Sequence, residues 1–131
     1  RELMVLREPG GVELSERIRA LVKDPELAVD PRAEALLYAA ARAELVAEVV
    51  VPALARDADV ILDRYLDSSV VYQGIGRGLG FEEVLELNLL AVGGLLPDRT
   101  FVLALDAIGA SANAIVIGAT VNGLRSDRGR V

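Results

Sequence analysis

The chain has 131 residues, of which 53% are apolar, enough for one domain or a large piece of one with a buried core. It has no cysteine and no histidine, which excludes disulfides, thiolate metal sites, an imidazole base and histidine zinc ligands. Its net charge of −6 argues against a broad nucleic-acid-binding surface.

The first residue is Arg1, and the first methionine, Met4, already lies in an apolar run, so the start of the protein is expected upstream. No signal peptide or lipidation signal is visible. Leu3–Leu6 reads as a buried strand closed by Arg7, and Pro9-Gly10-Gly11 as a sharp turn. Leu14, Ile18, Leu21 and Val22 form one helical stripe. A long helix is expected to begin with Asp30 as N-cap and Pro31 at its first position, with Leu37, Ala41, Leu45 and Val49 as core stripe and Pro52 kinking or ending it. Val60–Leu62 is a second strand, closed by Asp63. Phe81 to Val92 is a further helix, stopped by Gly93-Gly94. Phe101–Leu105 is a third strand, closed by Asp106.

Continuous apolar runs alternating with helices predict an α/β fold whose parallel sheet is covered on both faces. Ligands of such sheets bind beyond the carboxyl ends of the strands, where Arg7, Asp63 and Arg64 fall. Lys23 is the only lysine, so the other basic residues are arginines, whose planar fork suits phosphate. Glu34, Tyr38 and Arg42 are four apart and share a helix face distinct from the core stripe. Ser69 and Gln73 likewise share a face of a short helix. The glycines at 74, 76, 78 and 80 do not fit G-x-G-x-x-G and read as a turn region. Residues 107–124 carry no charge, but their glycines and asparagines make them too polar and broken for a membrane span, so a soluble cytoplasmic protein is expected.

Four ordered segments resemble the thymidylate kinase family. They are Arg7-Glu8-Pro9-Gly10-Gly11, then Ala33-Glu34-Ala35-Leu36-Leu37-Tyr38-Ala39-Ala40-Ala41-Arg42, then Asp63-Arg64-Tyr65-Leu66-Asp67-Ser68-Ser69 running into Tyr72-Gln73-Gly74, and Gly76-Arg77-Gly78. The resemblance spans residues 4–106 and implies a P-loop-kinase-like, Rossmann-like three-layer α/β fold, here incomplete. It implies phosphorylation of dTMP to dTDP, with ATP as co-substrate and Mg²⁺. Arg7 would bind the dTMP phosphate, and Arg64 would bridge that phosphate and the transferred group. Tyr38 would stack on thymine, Arg42 would contact base or phosphate, and Ser69 and Gln73 would read the thymine edge. Tyr72 would pack beneath the sugar, and Asp63 would orient Mg²⁺ or its waters. The family usually has Asp or Asn where Ala41 stands.

The sequence also departs from that family. No G-x-x-x-x-G-K-S/T motif occurs, so the ATP-gripping loop and the central first strand are expected to be absent, and the chain by itself inactive in phosphoryl transfer. Residues 1–106 read as a partial kinase core and 107–131 as an atypical tail in place of an arginine-rich lid. The abrupt compositional change after Asp106 raises the hypothesis of a frame-shifted reading, which fails if no alternative frame of the coding DNA restores such a lid. The resemblance permits a homodimer. Other readings are a related nucleoside or nucleotide kinase, a non-catalytic monophosphate-binding module, or an inactive fragment.

Overall fold

The computed structural model describes residues 1–103 and 115–122. Strand β1 (Leu3–Arg7) leads into helix α1 (Glu13–Val22), followed by the long helix α2 (Pro31–Leu45). A wide π-helical turn, Val46–Val50, joins α2 to α3 (Val51–Ala55). Strand β2 (Asp59–Asp63) precedes α4 (Leu66–Ser69), which widens into a second π-helical stretch, Val70–Gly76. Helix α5 (Phe81–Ala91) and strands β3 (Arg99–Leu103) and β4 (Ile115–Asn122) complete the described elements.

The chain is α/β, and β1 and β2 pair in parallel, with Leu3 opposite Asp59 and Arg7 opposite Asp63. The sheet is not parallel throughout. Its order is β1-β2-β4-β3, and β4 runs antiparallel to both neighbours. The expected third strand therefore reaches β2 only through β4. The end of β3 and the start of β4 are close in sequence, and antiparallel neighbours need less intervening chain than a parallel crossover. With β4 in place, β2 has a partner on each side. The last two residues of the expected run Phe101–Leu105 and its terminal Asp106 lie outside the described residues.

Nor is the sheet covered on both faces among the described residues. Met4, Leu6, Val60 and Leu62 face the helices and join a core built on Leu45, Val50, Ala53 and Tyr65. Leu3 and Val5 point the other way and are 59% and 68% exposed.

Helix α2 begins as its sequence dictates. The Asp30 carboxylate accepts a hydrogen bond from the Arg32 N–H at 2.9 Å, with Pro31 in the first turn. Its buried face is broader than the expected stripe, since Ala35, Ala39 and Arg42 are buried with Ala41 and Leu45. Small alanines let α1 and α5 pack closely on either side. Pro52 neither ends the helix nor stands alone as a kink. It lies in the first turn of α3, after the π-helical turn, which accommodates a ring with no N–H to give. In α1 the packing face is Ser15 and Ile18, while Leu14 and Leu21 are largely exposed. The Ser15 hydroxyl explains the shift: it donates to the Ala41 carbonyl at 2.6 Å, fixing which side of α1 meets α2.

Two further ties close the fold. Tyr65 donates to the Leu95 carbonyl at 2.9 Å, and burial, with Glu8 nearby, raises its pKa so that it remains a donor. Glu34 on α2 pairs with Arg77 after the second π-helical stretch, at 2.7 Å. The Arg77 hydrogen bond, helped by one from Gln73, holds the Glu34 carboxyl below its ordinary value of 4.5.

Leu62 is fully buried in the core, so Leu62→Ala is expected to cost about 2–5 kcal/mol, read as a lower urea midpoint with unchanged slope. Because folding depresses Glu34's pKa, its contribution is present above the ordinary carboxylate value and lost as pH falls through the folded value. The urea-midpoint advantage of the native chain over Glu34→Gln should therefore be constant near neutral pH and shrink below pH 4.5.

Candidate functional site

The parallel register of β1 and β2 brings Arg7 and Asp63 side by side at the carboxyl end of the sheet. Backbone continuity extends past them, since the Glu8 N–H donates to the Asp63 carbonyl at 3.1 Å. Arg64 follows with a left-handed backbone, φ +71°, which turns the chain off the strand. Its guanidinium carbon lies 5.5 Å from the centre of the Tyr72 ring, a cation–π contact that gives the side chain a fixed platform. Gly10 and Gly11 make the turn after β1, and a side chain at Gly11 would meet Leu45 Cδ1 at 2.9 Å. The turn therefore needs glycine to lie this close to α2.

Cations gather at this end. Burial, though slight, lowers the pKa of Lys23, and so do Arg19, Arg64 and Arg7 around it. Arg19 donates to the Pro9 carbonyl at 3.0 Å, which holds it over the turn. None of Arg7, Arg19, Lys23 and Arg64 has a carboxylate partner among the described residues, although the chain is acidic overall. Positive charge left unpaired in an acidic protein is an arrangement suited to an anion. Arg7 and Arg64 are named here from the sequence, but Arg19 and Lys23 are not. The signal for those two is their spacing of four, from the last turn of α1 to the residue that caps it.

The remaining candidates line the ground between α2 and α4. Tyr38 is half-buried. Burial and Glu34 raise its pKa, while Arg64, Arg19 and Arg42 oppose them, so the phenol lies between one carboxylate and three cations. Ser69 and Gln73 are both buried and face α2. Ser69 Oγ accepts from Arg42 Nη1 at 3.0 Å, and Gln73 Nε2 donates to Glu34 Oε1 at 3.1 Å. The face shared by Glu34, Tyr38 and Arg42 is not solvated at its far end, because the Arg42 side chain is only 3% exposed. Its Nε donates to Glu8 Oε2 at 2.6 Å, its Nη1 also donates to Asn88 Oδ1, and its guanidinium lies 5.8 Å from the Tyr65 ring centre. Arginine tolerates such burial only when its fork is engaged in this way. Burial raises the pKa of Glu8 against the opposing pull of Arg42, and Glu8 Oε1 has no partner among the described residues.

Asp63 stands exposed at the strand end, and its carboxylate makes no hydrogen bond or ion pair among the described residues. No group of three or more potential ligands for a metal ion occurs among those residues. A single free carboxylate beside a group of cations is compatible with Mg²⁺, which keeps several waters and takes one or two carboxylates plus phosphate oxygens. No described helix is long and apolar enough to cross a membrane.

Comparison with known proteins gives a consistent answer. The thymidylate kinase family profile matches residues 1–112. A thymidylate kinase of Latilactobacillus sakei is 53% identical over 103 residues, which is 78% of this chain and 48% of that protein. One from Clavibacter sepedonicus is 56% identical over 105 residues, 80% of this chain and 50% of that protein. One from Clavibacter michiganensis is 51% identical over 127 residues, 97% of this chain and 60% of that protein, a match that runs beyond Asp106. The chain spans about half the length of the curated relatives it matches. On the matched segments and this level of identity, the chain belongs to the thymidylate kinase family, with the partial α/β P-loop-kinase-like fold that membership implies.

Proposed function

We propose that this chain is the dTMP-binding portion of a thymidylate kinase, in which an oxygen of the dTMP phosphate attacks the γ-phosphorus of ATP and ADP leaves with the bridging oxygen, giving dTDP. The observation that carries this reading is the cluster of Arg7, Arg19, Lys23 and Arg64, none of which forms an ion pair among the described residues, beside the Tyr38, Ser69 and Gln73 side chains. One group suits a phosphate, and the other a flat base with polar edges.

In this assignment Arg7 and Arg64 hold the phosphate. Arg64, braced on Tyr72, remains in place as charge spreads over the transferring oxygens. Tyr38 stacks on thymine, Tyr72 packs beneath the sugar, and Ser69 and Gln73 read the base edge. Arg42 acts from behind: its bond to Ser69 Oγ leaves the serine O–H to donate outward. Asp63 would hold Mg²⁺, directly or through its waters, and the ion would supply neutralisation of phosphate charge. Catalysis is positioning and electrostatics, with no covalent intermediate.

Residues 1–131 contain no P-loop motif, and a second reading of the chain by itself is a monophosphate-binding module without transferase activity. The protein is assigned to the cytoplasm, without nucleic-acid or membrane partners. A homodimer is proposed through the apolar helices. An open groove of about 660 Å³, lined by Val46, Ala47, Val51, Leu90 and Leu95 among others, lies away from the polar site, and Leu90 is 80% exposed at its rim.

Calorimetric titration of the folded chain is expected to give selective binding of dTMP over dCMP and no binding of ATP. Arg7→Ala and Arg64→Ala should each weaken dTMP binding about 10- to 100-fold. Absence of dTMP binding by a folded chain would overturn the assignment. In light scattering on the eluted peak, Leu90→Glu should convert a dimer to a monomer, and a monomeric native chain would refute the dimer.

A further inference from the structure

The base-reading residue Gln73 has an amide that can present either its carbonyl or its NH₂ to a ligand, and the two choices select different bases. We propose that Glu34 is a specificity-determining positioning residue: by accepting from Gln73 Nε2 it turns the carbonyl oxygen of that amide toward the ligand, so that the site accepts a ring N–H. The inference rests on the base-reading role of Gln73 given above.

The polarity follows from donor and acceptor inventory. A carboxylate only accepts, so the group of Gln73 within 3.1 Å of Glu34 Oε1 must be the NH₂. Arg77 only donates, and its Nη2 and Nε approach Glu34 Oε2 and Oε1 at 2.7 and 3.4 Å. Glu34 is thus held as an ionised acceptor, and its side chain is only 15% exposed. Among the described residues no donor takes the Gln73 carbonyl oxygen, although Gln73 itself is 4% exposed. The same reasoning applies next door, where Arg42 forces Ser69 to be a donor outward. The edge so built offers an acceptor and a donor. Thymine has a complementary edge, a ring N3–H beside a carbonyl oxygen. Cytosine presents the opposite, a bare N3 beside an amino group, and would leave polar atoms facing their like.

Glu34→Gln tests this because it changes polarity with almost no change in shape. Arg77 would keep the new carbonyl oxygen, so the new NH₂ would face Gln73 and reverse its amide. In titrations of the full chain, the ratio of dTMP to dCMP affinity is expected to fall about tenfold or more, through weaker dTMP and tighter dCMP binding. Arg77→Met keeps the carboxylate and should preserve the ratio within about twofold, whatever it does to stability. An unchanged ratio in folded Glu34→Gln, with the native chain selective for dTMP, would overturn the inference alone. An equal loss in Arg77→Met would also overturn it, since the ion pair rather than the acceptor would then be responsible. A native chain that binds both nucleotides equally would instead refute the base-reading role itself.

Discussion

The buried pair of Glu8 and Arg42 is the constraint on which the site depends. Through one guanidinium it connects the end of β1, helix α2, the last residue of α4 and Asn88 on α5. Asn88 is fixed in turn, donating to the Val84 carbonyl at 2.8 Å. Both charged side chains are 3% exposed, where attraction must offset a large loss of hydration. Such a pair adds little net stability over an apolar packing of the same volume. Loss of one partner, however, leaves the other charge buried, which costs about 3–5 kcal/mol. The pair thus penalises arrangements of these four elements in which its bonds are not made. Ser69, one of those bonds, sits at the candidate base edge, so the geometry of recognition and the register of the helices are linked.

Around this pair, polar groups are used in layers. The outer layer contains Arg7, Arg19, Lys23 and Arg64, which form no ion pair among the described residues although Asp63 lies next to Arg7. The inner layer contains side chains whose protein partners consume one of their two hydrogen-bonding options. Ser69 and Gln73 are both of this kind. A neutral hydroxyl or amide is ambiguous by itself, and the charged neighbour behind it removes the ambiguity. This division lets a chain with no histidine and no cysteine present a chemically defined surface of fixed donors and acceptors beside guanidinium charge.

Much of the framework was legible in the sequence. Asp30-Pro31 states the start of α2, Gly93-Gly94 the end of α5, and the charges that close the first two apolar runs the aligned ends of β1 and β2. What escaped has physical reasons. The inward placement of Ser15 is not legible because nothing in sequence shows the Ala41 carbonyl that it meets. The burial of Arg42 is not legible because its three acceptors come from positions 8, 69 and 88, far apart along the chain. The antiparallel β4 lies in a stretch of glycine, alanine and β-branched residues with no alternation to mark a strand facing one way. Arg7 and Asp63 lie at one end of the sheet as their strand-closing positions imply, whereas the protein partners of Arg42, Ser69 and Gln73 are not legible in sequence.

Arg64 carries one more consequence. Its left-handed backbone, φ +71°, disfavours any residue with a side chain by about 1–2 kcal/mol, and the contact with Tyr72 recovers only about 0.5–1 kcal/mol at a partly exposed site. Glycine would relieve that strain while deleting the guanidinium. Evolution of this scaffold under selection for heat resistance alone would therefore tend to discard the very arginine assigned to the phosphate. The persistence of Arg64 in an improved, thermostable descendant would require selection for turnover at the same time.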